Sequence, residues 1–238
     1  MKISDRVKLP LRICQGTVKQ RHQLAEKYLS NFVSFIDPVM AKNSTLSLNC
    51  IRHFLLKSLP YKDLAIEILK SPDEQSHFMV HANENNYVDI LTLALRTDKN
   101  GEVGEDEKND LYHEAWHLFE NLTTPKLFAR FSTVEDYKLE QYETFYHQNF
   151  YTIKKYKPKF LNKKLDKFLK NYNNEDKVNF LQFLRQDLKA ELSAYTLAEK
   201  HAPDLCPIYE SFRIPKKIEV AENYLKALFT EIRSKSNR

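Results

Sequence analysis

His113-Glu114-Ala115-Trp116-His117 places two histidines four residues apart around a glutamate. On a helix, positions i and i+4 lie on one face a turn apart, so both imidazoles can reach the same metal ion. Zinc prefers such nitrogen ligands in tetrahedral geometry and, in a catalytic site, keeps one position open for water. Glu114 then lies beside the metal, able to take a proton from a metal-activated water as it attacks a carbonyl. Random placement of the 8 histidines and the glutamates of this chain would produce the pattern about 0.02 times. The motif also sits in a favourable setting: Leu111, Ala115, Leu118 and Leu122 are apolar and Trp116 is the sole tryptophan. The plain alternative is that His113 and His117 are the polar edges of an ordinary core helix.

The elements that must hold this motif follow from pattern. Leu24, Tyr28, Phe32 and Phe35 recur at helical spacing and predict a helix over 17–35, and helices are expected over 46–56 and 61–69, parted by Pro60. After residue 73 the texture changes. Residues 77–81 and 87–95 are rich in β-formers around the turn signal Asn83-Glu84-Asn85-Asn86, which predicts a hairpin. A loop over 98–107 leads to Asn109 and Asp110, either of which could cap the motif helix. That helix stops by Thr123-Thr124-Pro125. A helical and basic stretch over 126–174 follows, then a strong helix over 175–201, a loop over 207–215 and a last helix over 216–234.

Composition excludes several classes. The chain of 238 residues, 42% hydrophobic and 29% charged, reads as one globular domain of α+β type, mostly helical, with a small sheet or hairpin before the motif helix. Its parts are an N-terminal helical portion over 1–70, the hairpin and motif helix over 71–122, and a helical portion over 123–238. Three glycines argue against Gly-rich phosphate loops. Cys14, Cys50 and Cys206 are too scattered for a disulfide framework or a Cys-rich metal site. Without an apolar leader or a stretch able to span a bilayer, cytoplasmic synthesis is expected; delivery into another cell by a route that leaves no cleaved signal stays open.

The net charge of +5 gives no clear nucleic-acid signal. Lysines crowd residues 153–170, a candidate contact for acidic partners; Phe160, Leu161, Leu165, Phe168 and Leu169 also make an amphipathic stripe, for which a solvated lysine face is the plain reading.

A third metal ligand is needed. The extended pattern with a later glycine and histidine is absent, since Glu120 and Thr123 occupy those positions. At 100° per residue Glu191 falls about 60° from Leu188 and close to Leu184, on the apolar side of its helix. A carboxylate facing a core needs a charge partner, and a metal ion is one. Ala190 and Ala194 would allow close approach of two helices. Glu199, Asp187 and Glu120 compete for the role, with Glu120 better suited to orient an imidazole from the second shell of the site. The plain alternative for Glu191 is a surface pair with Lys189 or Lys200. Tyr195 and His201 are the nearest candidates for an oxyanion stabiliser, with Tyr209 behind them.

His113-Glu114-x-x-His117 followed downstream by Glu191-x-x-Ala194-Tyr195 resembles the gluzincin arrangement of zinc metallopeptidases, in which a glutamate on a second helix completes the site. The resemblance implies a zincin-like domain, one zinc ion per chain, peptide-bond hydrolysis and Glu114 as general base. It also implies an upstream strand that aligns a protein or peptide substrate by backbone pairing, a part the segment 87–95 could play. If the chain were delivered into another cell, the same chemistry would make it an effector or toxin. Two other functions compete: an inactive zinc-binding structural or regulatory module, and a basic interaction protein in which the motif is accidental.

Overall fold

Thr17 opens the first helix by a capping box: its hydroxyl accepts from the Gln20 amide at 3.2 Å and its own amide donates to the Gln20 side chain at 2.8 Å. The computed structural model describes residues 17–59, 65–71, 75–82, 88–123, 136–146, 148–149, 158–202 and 208–236. Helix α1 (Val18–Asn43) runs further than its expected end at Phe35 and passes through Pro38. The buried Ile36 and Met40 extend its apolar face across the proline, which offsets the missing amide. Ser44, with φ 61°, ends it by donating its amide to the Met40 carbonyl.

Strand β1 (Thr45–Ser47) follows, and Ser47 caps helix α2 (Leu48–Ser58) by accepting from the Cys50 amide. The helix expected over 61–69 is corrected: residues 65–70 form strand β2 (Ala65–Lys70), and 61–64 lie outside the described residues. Ile66 and Ile68 fit either period in so short a run. Parallel pairing with a strand over twenty residues later, Ala65 opposite Ile90 through Lys70 opposite Leu95, decides for β.

The hairpin expected over 77–95 is present. Strands β3 (His77–Ala82) and β4 (Val88–Leu95) are antiparallel, with Met79 opposite Thr92 and a register shift at His81/Ala82. The sheet order is β2-β4-β3, so β4 is central. Strand β5 (Glu102–Gly104) pairs antiparallel with β1. Gly101 takes φ 80° in the turn before it, where only glycine is unstrained.

A short 3-10 turn, Glu105–Glu107, leads into helix α3 (Lys108–Thr123). Neither Asn109 nor Asp110 is therefore its cap: both lie within its first turn. The Gly104 amide instead donates to the Glu107 carboxylate at 3.1 Å, an approach so close that a Cβ on residue 104 would stand 2.8 Å from that oxygen.

The remaining helices are α4 (Asp136–Tyr146), α5 (Pro158–Leu169), α6 (Asn174–His201) and α7 (Ile208–Ser236). The loop expected over 207–215 is corrected, because α7 starts at Ile208 and continues through Pro215. Ile214, Ile218, Ala221, Leu225 and Leu228 are all buried and recur at steps of four and three, so one apolar stripe spans the proline. The whole is mostly helical with small sheets, in keeping with an α+β class.

The chain divides into two compact units, Met1–Ser132 with Ala194–Cys206, and Thr133–Ser193 with Pro207–Arg238; the division falls inside α6. In the first, α3 packs between α1 and the β3/β4 face, and its Leu111, Ala115, Leu118 and Phe119 join Leu29, Phe32 and Ile36 of α1 and Leu91 and Leu93 of β4. Ala194, Ala198 and Ala202, spaced by four, complete this core from the end of α6. The second unit is built on aromatics packed edge to face or tilted: Phe180 lies 5.1 Å from Tyr142, 5.4 Å from Phe145 and 4.7 Å from Phe168 between ring centres. Among the described residues no helix is long and apolar enough to cross a membrane.

Candidate metal centre

Thirteen of the sixteen residues of α3 are buried, so it is a core helix over nearly its whole circumference. Polar side chains on such a helix need defined partners, because an unsatisfied buried polar group costs more than its hydrogen bond contributes. Tyr112, one residue before the motif, has one: its hydroxyl donates to Asp37 Oδ1 of α1 at 2.6 Å. Lys108 Nζ stands 2.8 Å from the same oxygen and 3.1 Å from Glu105. Burial opposes ionisation of Asp37, but the hydrogen bonds from Lys108 and Tyr112 outweigh it and hold its carboxyl below the usual range. Burial in turn pulls the Lys108 pKa down, but its hydrogen bonds to Asp37 and Glu105 outweigh it and hold it above its ordinary value.

On the next face, the Nε2 atoms of His113 and His117 approach to 3.1 Å, with the rings nearly perpendicular at 75°. Two nitrogens about 2.05 Å from one tetrahedral ion stand about 3.3 Å apart, so this pair has the bite of a zinc site. The His117 carbonyl accepts from the Asn121 side chain at 2.8 Å. The ring of Tyr195, on α6, lies 4.4 Å from that of His113.

Glu191, one turn before Tyr195, supplies a carboxylate oxygen, and one ligand atom from each of His113, His117 and Glu191 lies within 4.8 Å of the others. These three residues could hold a metal ion. Among the described residues no other group of three or more His, Cys, Asp or Glu does so, and Glu199, Asp187 and Glu120 are not in this one. Lys189, considered above as a surface partner of Glu191, stands 3.1 Å from Glu222 instead. The donor set, two imidazole nitrogens and one carboxylate oxygen, fits zinc, which takes both atom types.

Glu114 lies beside the first histidine: its Oε1 is 3.9 Å from His113 Nε2, and its side chain is almost fully buried. Trp116 is fully buried, edge-on to His22 at 5.2 Å. Asp110, one turn before His113, has its carboxyl pushed up by burial against the opposing charges of Arg96 and His113.

No known protein family, no curated protein and no solved structure matches this chain. Its function is therefore read from the site alone.

The structure does not bring every candidate to that site. His201 packs edge-on to Tyr112 at 6.4 Å, and burial, with Lys200 beside it, lowers its pKa. It lies ten residues beyond Glu191 on the same helix, about 15 Å along the axis. Glu120 is partly exposed on α3. Tyr209 is on α7, and its side chain lies outside the described residues. The segment expected to align substrate is also corrected: β4 has β2 on one edge and β3 on the other, so its backbone groups are already paired. Sequence reasoning missed Asp37 and Lys108 as supports of the motif helix; a tyrosine next to a buried histidine was the only local hint of a polar partner.

Proposed function

We propose that this chain is a zinc-dependent peptidase that hydrolyses peptide bonds in protein or peptide substrates. The convergence of His113, His117 and Glu191 within 4.8 Å carries the reading, because two helices supply the three ligands that gluzincin chemistry uses and Glu114 stands beside them. A zinc ion held there would supply the Lewis acidity that makes water nucleophilic near neutral pH.

The chain's own residues do the rest. Glu114 takes the proton of the attacking water on a carboxylate oxygen and delivers it to the leaving amine nitrogen, which a buried and positioned carboxylate does far better than bulk water. Tyr195, whose ring lies tilted against that of His113, is the phenol assigned to donate to the substrate oxyanion as charge develops there. Strand β3, at the edge of its sheet and packed beside α3, takes over the substrate-pairing part from β4. The links from Tyr112 and Lys108 to Asp37 hold the motif helix in place while substrate binds.

The test is metal analysis joined to peptide-library cleavage on wild type and Glu114→Gln. About one zinc per chain is expected in both, with cleavage lowered by roughly 10²–10⁴-fold in the variant. A metal-free wild type, or a variant that cleaves at the wild-type rate, overturns the reading.

A further inference from the structure

Helix α5 presents a second feature that the metal centre does not use. Its apolar side is consumed by its own unit: Leu161, Leu165 and Leu169 are buried. Its other side carries Lys159, Lys163, Lys164 and Lys167, all exposed, and Lys170 continues it, since its amide still donates to the Asp166 carbonyl at 3.1 Å. At 100° per residue, Lys159, Lys163, Lys167 and Lys170 fall within about 80° of arc, and Lys164 extends it to about 140°. The stripe is about 16 Å long.

Three observations show that this face is not satisfied by the protein itself. None of the five lysines makes an ion pair among the described residues. The one acid of the helix, Asp166, stands at the edge of the arc, about 20° beyond Lys159, and accepts from the Tyr224 hydroxyl at 2.6 Å. Phe160, 50% exposed, stands inside the arc with the Lys164 ammonium 5.4 Å from its ring centre. A large apolar ring is thus left half exposed beside a cation, on the side of the helix turned away from its buried leucines.

We infer that the lysine face of α5 is a docking surface for an anionic lipid membrane, which the helix meets lying flat, with lysines on headgroups and Phe160 at the acyl boundary. Charge complementarity selects the class. A straight row of point charges matches a plane of mobile headgroups, which need no fixed geometry. The arc holds no arginine, the residue that supplies bidentate forks to phosphates and bases at nucleic-acid interfaces. Because Leu161, Leu165 and Leu169 stay in the protein core, attachment is peripheral, reversible and sensitive to salt. Each lysine near an anionic surface contributes roughly fivefold to partitioning.

Vesicle co-sedimentation of the full chain tests this, with phosphatidylserine/phosphatidylcholine vesicles against pure phosphatidylcholine. Binding is expected to the anionic vesicles alone and to vanish at high salt. The triple variant Lys163→Gln, Lys164→Gln, Lys167→Gln loses roughly 100-fold in partitioning, and Phe160→Ala a smaller factor; His113→Ala, which removes a proposed metal ligand, binds vesicles as wild type does. All three positions of the triple variant are exposed, and an unchanged thermal midpoint shows that it is folded. Equal binding to both vesicle types, an unaltered triple variant, or tighter binding to single-stranded nucleic acid or an acidic polypeptide than to anionic vesicles overturns the inference.

Discussion

The Tyr112 hydroxyl donates to the Asp37 carboxylate at 2.6 Å across 75 residues of chain, joining α1 to α3 one residue before the first metal-ligand candidate. Tyr112→Phe keeps the buried ring and removes only this bond. Hydrogen bonds to charged groups contribute about 1.5–3 kcal/mol, and solvent at Asp37, 43% exposed, reduces that to about 1 kcal/mol. Urea unfolding at neutral pH measures the loss; no change would mean that the bond is replaced by water at no cost.

The same cluster makes stability depend on pH in both directions. The Asp37 pKa is lowered in the folded state, so its contribution is present above the ordinary value of 3.8 and is lost as pH falls through the folded value. The Lys108 pKa is raised, so its contribution is present below 10.5 and is lost as pH rises through the folded value. The stability difference between wild type and Asp37→Asn is therefore expected to be flat from about pH 7 to 9, to rise slightly as His201, whose charge Asp37 favours, protonates below its ordinary value, and to shrink below about pH 4. A difference that keeps growing below about pH 4 would refute the assignment.

Metal loading is expected to stabilise the fold, since a ligand at 100 times its Kd adds about 2.7 kcal/mol. For a chain of this size that corresponds to roughly 5–10 °C in thermal midpoint, removed by a chelator. His113→Ala, His117→Ala and Glu191→Ala should each abolish the chelator-sensitive shift, whereas Glu114→Gln should retain it. A full shift in Glu191→Ala would pass the ligand role to another carboxylate.

Packing around the motif is expected to be costly to disturb. Phe119 is 1% exposed and its ring meets Phe32 at 5.9 Å and Tyr28 at 5.9 Å. Phe119→Ala should cost about 3–5 kcal/mol, and Phe229→Ala, at a position 43% exposed on α7, within about 0.5 kcal/mol. Comparable losses at both positions in chemical unfolding would contradict this placement of the core.

Much of this was legible because the signals were local and repeated. Helix α6 was readable from Leu181, Leu184 and Leu188, and α3 from Leu111, Ala115, Leu118 and Leu122, since each period of 3.6 is written several times over. The hairpin was readable from two β-rich runs around a polar turn. Strand β2 was not, because six residues hold too few periods and its partner lies over twenty positions away. The length of α7 was not, because Pro215 is a breaker by local chemistry while the buried stripe from Ile214 to Leu228 overrides it.

By itself the sequence determined the motif and its face: four residues on a helix must bring His113 and His117 onto one side, whatever surrounds them. Tertiary structure decided the rest. It brought Glu191, of the four carboxylates considered, into one group with His113 and His117, tied α3 to Asp37, and occupied both edges of β4, leaving β3 at the rim. Helical spacing is a property of the backbone and travels with the chain; contacts between distant segments depend on which apolar faces bury one another, a choice made by the whole core at once.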